Sequence, residues 1–130
     1  MTAAISSCGT YRYRLERHGL AGAGAVAWIM VNPSTADATN DDATIRKVIG
    51  FTERLGGGWA IVGNKFAFRA TWGPLGKLPP QLRKRWTTVC LLAREAGAQL
   101  MCLGTAQDGQ PRHPLMLAYD TPIEPWKAPR

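Results

Sequence analysis

Val26-Ala27-Trp28-Ile29-Met30-Val31-Asn32-Pro33-Ser34-Thr35-Ala36-Asp37 decides the fold class. Six apolar residues run without alternation and stop at Asn-Pro. That pattern predicts a strand buried on both faces, the setting of a parallel sheet. Asn32 to Asp42 then reads as a polar loop. Asp41 or Asp42 can cap a following helix, whose positive N-terminus favours a carboxylate. Ile45, Val48, Ile49, Thr52 and Leu55 recur at helical spacing, with Arg46, Lys47 and Arg54 pointing away. Gly56-Gly57-Gly58 stops the helix, and Trp59 to Val62 reads as a second buried strand ending at Gly63-Asn64. A strand, helix, strand crossover of this kind places its strands parallel.

Working outward, Thr10-Tyr11-Arg12-Tyr13-Arg14-Leu15 alternates strictly. This predicts a half-exposed strand with Tyr11, Tyr13 and Leu15 on one face and Arg12 and Arg14 on the other. Gly19 to Gly24 reads as a turn, and residues 65 to 80 as irregular chain. A second helix is predicted over residues 81–96, with Leu82, Trp86, Val89, Cys90 and Ala93 as its apolar stripe. Arg83, Lys84, Arg85 and Arg94 form its basic side, and Gly97 its stop. Gln99 to Leu103 reads as a third strand, followed by a loop, a short apolar piece at Leu115 to Leu117 and a Pro-rich tail. One α/β domain over residues 1–130, with a short, mostly parallel sheet, is the expected architecture.

The 130 residues suit a single domain, and 45% of them are hydrophobic, the proportion of a globular chain. No apolar run approaches the roughly 20 residues of a membrane span. No basic residue or apolar block precedes Cys8, so neither secretion nor a membrane is expected, and a cytoplasmic protein is. Cys8, Cys90 and Cys102 are odd in number and lack a C-x-x-C pair; neither a disulfide framework nor a metal site is indicated, and no cofactor is implied. Sixteen Lys and Arg against nine Asp and Glu, a formal charge of +7, favour an anionic partner such as nucleic acid. A plainly soluble basic surface accounts for the charge equally well.

In open parallel sheets, ligands bind outside the carboxyl ends of the strands. The segments leaving those ends carry Asn32-Pro33-Ser34, Asn64-Lys65-Phe66-Ala67-Phe68-Arg69 and the loop through Arg112-His113-Pro114-Leu115. Two carboxamides and an imidazole suit a planar polar ring such as a nucleobase. Phe66 or Phe68 would stack on it, and Arg69, Arg112 and Lys65 would hold phosphates. Each residue also has a structural use: Asn-Pro makes turns, Phe66 and Phe68 fill cores, and a loop His is commonly solvated. Asp41-Asp42 reads as a cap with a solvated neighbour, because adjacent helical residues face apart. No P-loop, dinucleotide loop or Ser-His-Asp arrangement is present.

Five stretches, Cys8-Gly9-Thr10-Tyr11-Arg12-Tyr13-Arg14-Leu15, Trp28-Ile29-Met30-Val31-Asn32-Pro33-Ser34-Thr35-Ala36-Asp37, Asp41-Asp42-Ala43-Thr44-Ile45-Arg46, Asn64-Lys65-Phe66-Ala67-Phe68-Arg69-Ala70-Thr71 and Leu103-Gly104 through Pro111-Arg112-His113-Pro114-Leu115, resemble a domain of unknown function found in bacteria and their phages. Their order is also similar to that of the uracil-DNA glycosylase superfamily, which implies a glycosylase-like fold. That resemblance implies that Asn32 positions a water and Asn64 reads the base edge. It further implies that His113 stabilises a departing base anion and Leu115 wedges into the stack. Members of the bacterial and phage family run longer between the motifs that Arg69-Ala70-Thr71 and Trp72-Gly73 resemble, so a helix and a strand are expected to be missing. Lys65 and Met116 also replace an expected apolar residue and Tyr. Two readings follow: a nucleobase- or nucleic-acid-binding protein, with action on a flipped base left open, or a non-catalytic phage-encoded protein that binds and inhibits a host nucleic-acid-handling protein or ribonucleoprotein complex.

Overall fold

The computed structural model describes residues 1–69 and 84–128. The chain divides into two units, Met1–Gly76 and Lys77–Arg130. The first is built on four strands: β1 (Thr2–Ile5), β2 (Arg12–His18), β3 (Ala25–Met30) and, after helix α1 (Ala43–Arg54), β4 (Trp59–Asn64). They lie in the order β1-β2-β4-β3. β1 pairs antiparallel with β2, and β2 antiparallel with β4, while β3 pairs parallel with β4. The sheet is therefore mixed and mostly antiparallel, where the sequence predicts a mostly parallel one. The crossover through α1 does produce the parallel pair, but the short link from β1 to β2 can only form a hairpin.

Position in the sheet also corrects the reading of β3. Among the described residues it is an edge strand with α1 on one side only, and its residues alternate: Ala25, Ala27 and Ile29 are exposed, and Val26, Trp28 and Met30 are partly buried. Trp28 donates from Nε1 to the Thr52 hydroxyl at 2.9 Å and packs near Phe51, which fixes its inward face. Ile45, Val48, Phe51 and Thr52 of α1 are buried, and Leu15, Ala60 and Val62 complete a core with Ile45, Val48 and Ala36. Burying one such aliphatic side chain contributes about 1.5–3 kcal/mol. Of the residues placed on this face from sequence, Leu55 is the helix C-cap and 39% exposed.

β2 departs from strict alternation. The register with β1 shifts between Ala4 and Ile5, and both Arg12 and Leu15 turn inward while Tyr13 and Arg14 between them stay out. A bulge of this kind puts two consecutive residues on one side. Arg12 thus faces the interior and Tyr11 and Tyr13 are exposed, the reverse of the expectation. The glycine-rich stretches at Gly19–Gly24 and Gly56–Gly58 run side by side, joined by Leu20 N–H to Gly58 O, Gly22 N–H to Gly57 O and Gly58 N–H to Gly24 O. A Cβ on Gly22 would lie 2.1 Å from Gly56 O, so only glycine permits this approach.

The second unit contains α2 (Trp86–Glu95), β5 (Met101–Cys102), a 3-10 turn at Pro114–Met116 and β6 (Glu124–Pro125). The predicted helix start, including Leu82 and Arg83, lies outside the described residues, as do Ala70 to Pro80 and hence the shortened Thr71–Trp72 junction. Gly97 stops α2 with φ +66°, as its position predicts. The predicted third parallel strand is a correction: only Met101–Cys102 is extended, and it pairs antiparallel with Glu124–Pro125 in a separate two-stranded sheet. The tail supplies that partner, and Trp126 N–H donates to Leu100 O beside it. A glycosylase-like parallel sheet finds no support in either unit.

Candidate functional site

At the carboxyl ends of β3 and β4, Met30 lies opposite Asn64, and the ladder continues with Lys65 N–H to Met30 O and Phe66 N–H to Val31 O. Asn32 and Asn64 consequently emerge at neighbouring strand ends, as the crossover predicts. Asn32 Nδ2 donates to Pro33 O at 3.3 Å. The Asn64 carboxamide differs: Nδ2 and Oδ1 are both shielded from solvent and neither has a hydrogen-bond partner. Leaving one such group unpaired costs about 1–3 kcal/mol. Beside it, the Lys65 ammonium is pushed down by burial.

Three arginines shape the loop that follows Asn32. Arg12, 3% exposed, donates from Nη1 to Ala36 O at 2.9 Å, and its Nε is buried without a partner. Burial pushes its guanidinium down, against the attraction of Asp42. Arg17, 1% exposed, donates from Nε to Asp41 Oδ1 at 2.7 Å and from Nη2 to Asp37 O at 2.6 Å. Arg69 donates to Ser34 O, Thr35 O and Gly9 O. Its donors hold backbone carbonyls, which is a loop-fixing arrangement. The guanidinium fork suits the task because one planar group can bridge several oxygens.

The loop supplies its own acidic ties. Asp42 caps α1, accepting from Ile45 N–H at 2.9 Å, and its second oxygen accepts from Ala36 N–H. Asp37 accepts from the backbone N–H groups of Thr39 and Asn40, which holds its carboxyl down at about 2. Pro33 is fully buried, Phe66 is half-buried and Ser34 contributes its carbonyl to Arg69.

The remaining predicted residues stand together in the second unit. Thr105 and Pro111 form a bridge, and Arg112 N–H returns to Gly104 O, closing the loop that ends at His113. His113 caps the 3-10 turn, its Nδ1 accepting from Leu115 N–H at 3.1 Å, so the neutral ring carries its proton on Nε2. Arg112 is exposed and Leu115 is 37% exposed.

Sequence reasoning missed Arg12, because simple alternation gives no sign of a bulge, and Arg17, although it continues the inward alternation from Leu15. The acidic residues of the facing loop, Asp37, Asp41 and Asp42, were the available signal. It also missed Cys8, exposed, whose thiol is lowered to about 7, chiefly by the Ser6 hydroxyl at 3.3 Å and then by Thr10. Among the described residues no group of three His, Cys, Asp or Glu side chains could hold a metal, and no helix is long and apolar enough to cross a membrane.

What fold and site define is a small α/β protein with a mixed sheet and a polar, arginine-fixed loop at one strand edge. Within it, residues 12–72 match the model of a family described as a protein of unknown function (DUF1643). The match takes in Arg12, Asn32 and Asn64 and ends before Arg112, His113 and Leu115. Neither a curated protein nor a solved structure matches the chain.

Proposed function

We propose that the protein binds a nucleobase, free or within nucleic acid, at the carboxyl edge of the β3–β4 pair, with Asn64 as the reading group. The observation that carries this reading is the Asn64 carboxamide, a donor and an acceptor buried together with nothing to bond. Such a pair complements one edge of a planar heterocycle. Asn32 at the adjacent strand end and the formal charge of +7 support the same partner class. Because both amide atoms are shielded, entry of a ring requires the adjoining chain to move, and the loop from Asn32 is the neighbouring element. Phe66 is the stacking candidate, and Pro33 and Ser34 shape the loop entrance. Action on a flipped base, in the manner of a glycosylase-like protein, is the catalytic form of this reading, and Asn32 is the residue of this strand edge it would depend on.

The test scores single- and double-stranded DNA carrying normal and deaminated bases for binding and for alkali-labile sites in the same tubes. Binding that falls at least tenfold in Asn64→Ala, and weakens steeply with salt, is the expected result. Cleavage abolished by Asn32→Ala establishes the catalytic form. Absence of both binding and cleavage, together with no binding of free nucleobases, overturns the reading and leaves the protein-directed alternative, in which a host complex is the partner.

A further inference from the structure

The outer edge of β3 carries none of the features that keep an edge strand single. It has no Lys, no Pro and no bulge, and it is six residues long: Ala25-Val26-Ala27-Trp28-Ile29-Met30. Among the described residues β4 is its only neighbour. Natural edge strands are blunted by charge, proline or bulges because open N–H and C=O groups recruit another strand. Here the outward side chains are apolar as well, with Ala25 and Ala27 exposed, Ile29 52% exposed and Val31 38% exposed.

Charge and shape both select the occupant. The chain carries +7 overall, so two copies repel over most of their surface, yet Gly19 to Ala36 contains no charged residue. Two copies can approach there without opposing like charges. The outward side chains are small at the start of the strand and large at its end. Antiparallel pairing about a two-fold axis at Trp28 sets Ala27 opposite Ile29 of the second copy and Ala25 opposite its Val31. Each small side chain then meets a large one, twice over, in a contact that is the same from both sides.

We infer that the protein is a two-fold dimer in which β3 pairs antiparallel with β3 of a second copy, joining two four-stranded sheets into one of eight. The contact is independent of the nucleobase reading: it uses the lateral edge of β3, whereas Asn32 and Asn64 lie at the strand ends. It also explains how an uncharged apolar strand persists on the edge of a basic protein.

Light scattering on the full chain is expected to give twice the 14.2 kDa chain mass. Ile29→Lys, which places a cation opposite Ala27 of the second copy, should return a monomer with an unchanged far-ultraviolet spectrum. A separate measurement fixes the register in a Cys8→Ser background. Oxidation of Ala27→Cys mixed with Ile29→Cys should cross-link the two chains, and Ala27→Cys alone should not. A monomeric wild-type chain overturns the inference. So does a dimer that survives Ile29→Lys, or one that cross-links through Ala27→Cys alone.

Discussion

α1 and α2 look alike in sequence and differ in almost every structural respect. Both carry an apolar stripe and a basic side. α1 buries Ile45, Val48, Phe51 and Thr52 and is capped by Asp42, whereas none of the described residues of α2 is buried and no side chain caps its start. Leu91 and Leu92 are 55% and 58% exposed. The difference teaches that helical periodicity reports only a capacity for burial. α1 realises it because the β3–β4 crossover lays it across a sheet face, while the described residues of the second unit offer only the two-residue strands β5 and β6.

Substitutions can break this contrast or sharpen it. The largest effect is expected at Arg17→Met, which leaves Asp41 and the carbonyl of Asp37 without their donor. Chemical denaturation should show a loss of about 3–5 kcal/mol, the usual consequence of removing one member of a buried ion pair. Phe51→Ala should cost about 3–5 kcal/mol through lost burial and a cavity, against about 0.5 kcal/mol or less for Leu92→Ala on α2. Equal losses at these two positions would erase the distinction between the helices. Asp42→Ala should cost about 1–2 kcal/mol, because one carboxylate serves both the α1 cap and Ala36 N–H.

Two titrations probe the loops without unfolding either unit. Cys8 should alkylate ahead of Cys90 and Cys102, with a rate that reaches half its maximum near pH 7, and Ser6→Ala should shift that midpoint upward. The smallest effect belongs to Asp37. Its carboxyl is lowered from 3.8 to about 2, so the ordering it gives the loop is fully present above the unfolded value and is lost as pH falls through about 2. The amide resonances of Thr39 and Asn40 should stay in place at pH 4 and move only near that midpoint.

The crossover and its cap were legible because they depend on local signals: an apolar run, Asn-Pro, paired aspartates and a triple glycine. Asn32 and Asn64 meet for the same reason, since parallel strands joined through a helix end side by side. Sheet order was not legible. Whether β2 or the segment at Gln99–Leu103 lies beside β4 depends on distant pairing that no stretch of sequence encodes. The inward turn of Arg12 was hidden as well, because Ala4 faces Arg14 and Ile5 faces Arg12, so Tyr13 is an extra residue in β2 that reverses the alternation on its far side. The carbonyl contacts of Arg69 were equally out of reach, as backbone acceptors leave no trace in residue type.

The most direct test follows the side-chain amide resonances of Asn64 while single-stranded DNA is added. Binding through this group predicts that the two Asn64 protons shift and become protected from exchange as Nδ2 gains an acceptor, with smaller changes at Asn32 and Phe66. Saturable binding that leaves the Asn64 resonances unmoved would contradict the account and place nucleic acid elsewhere on the protein.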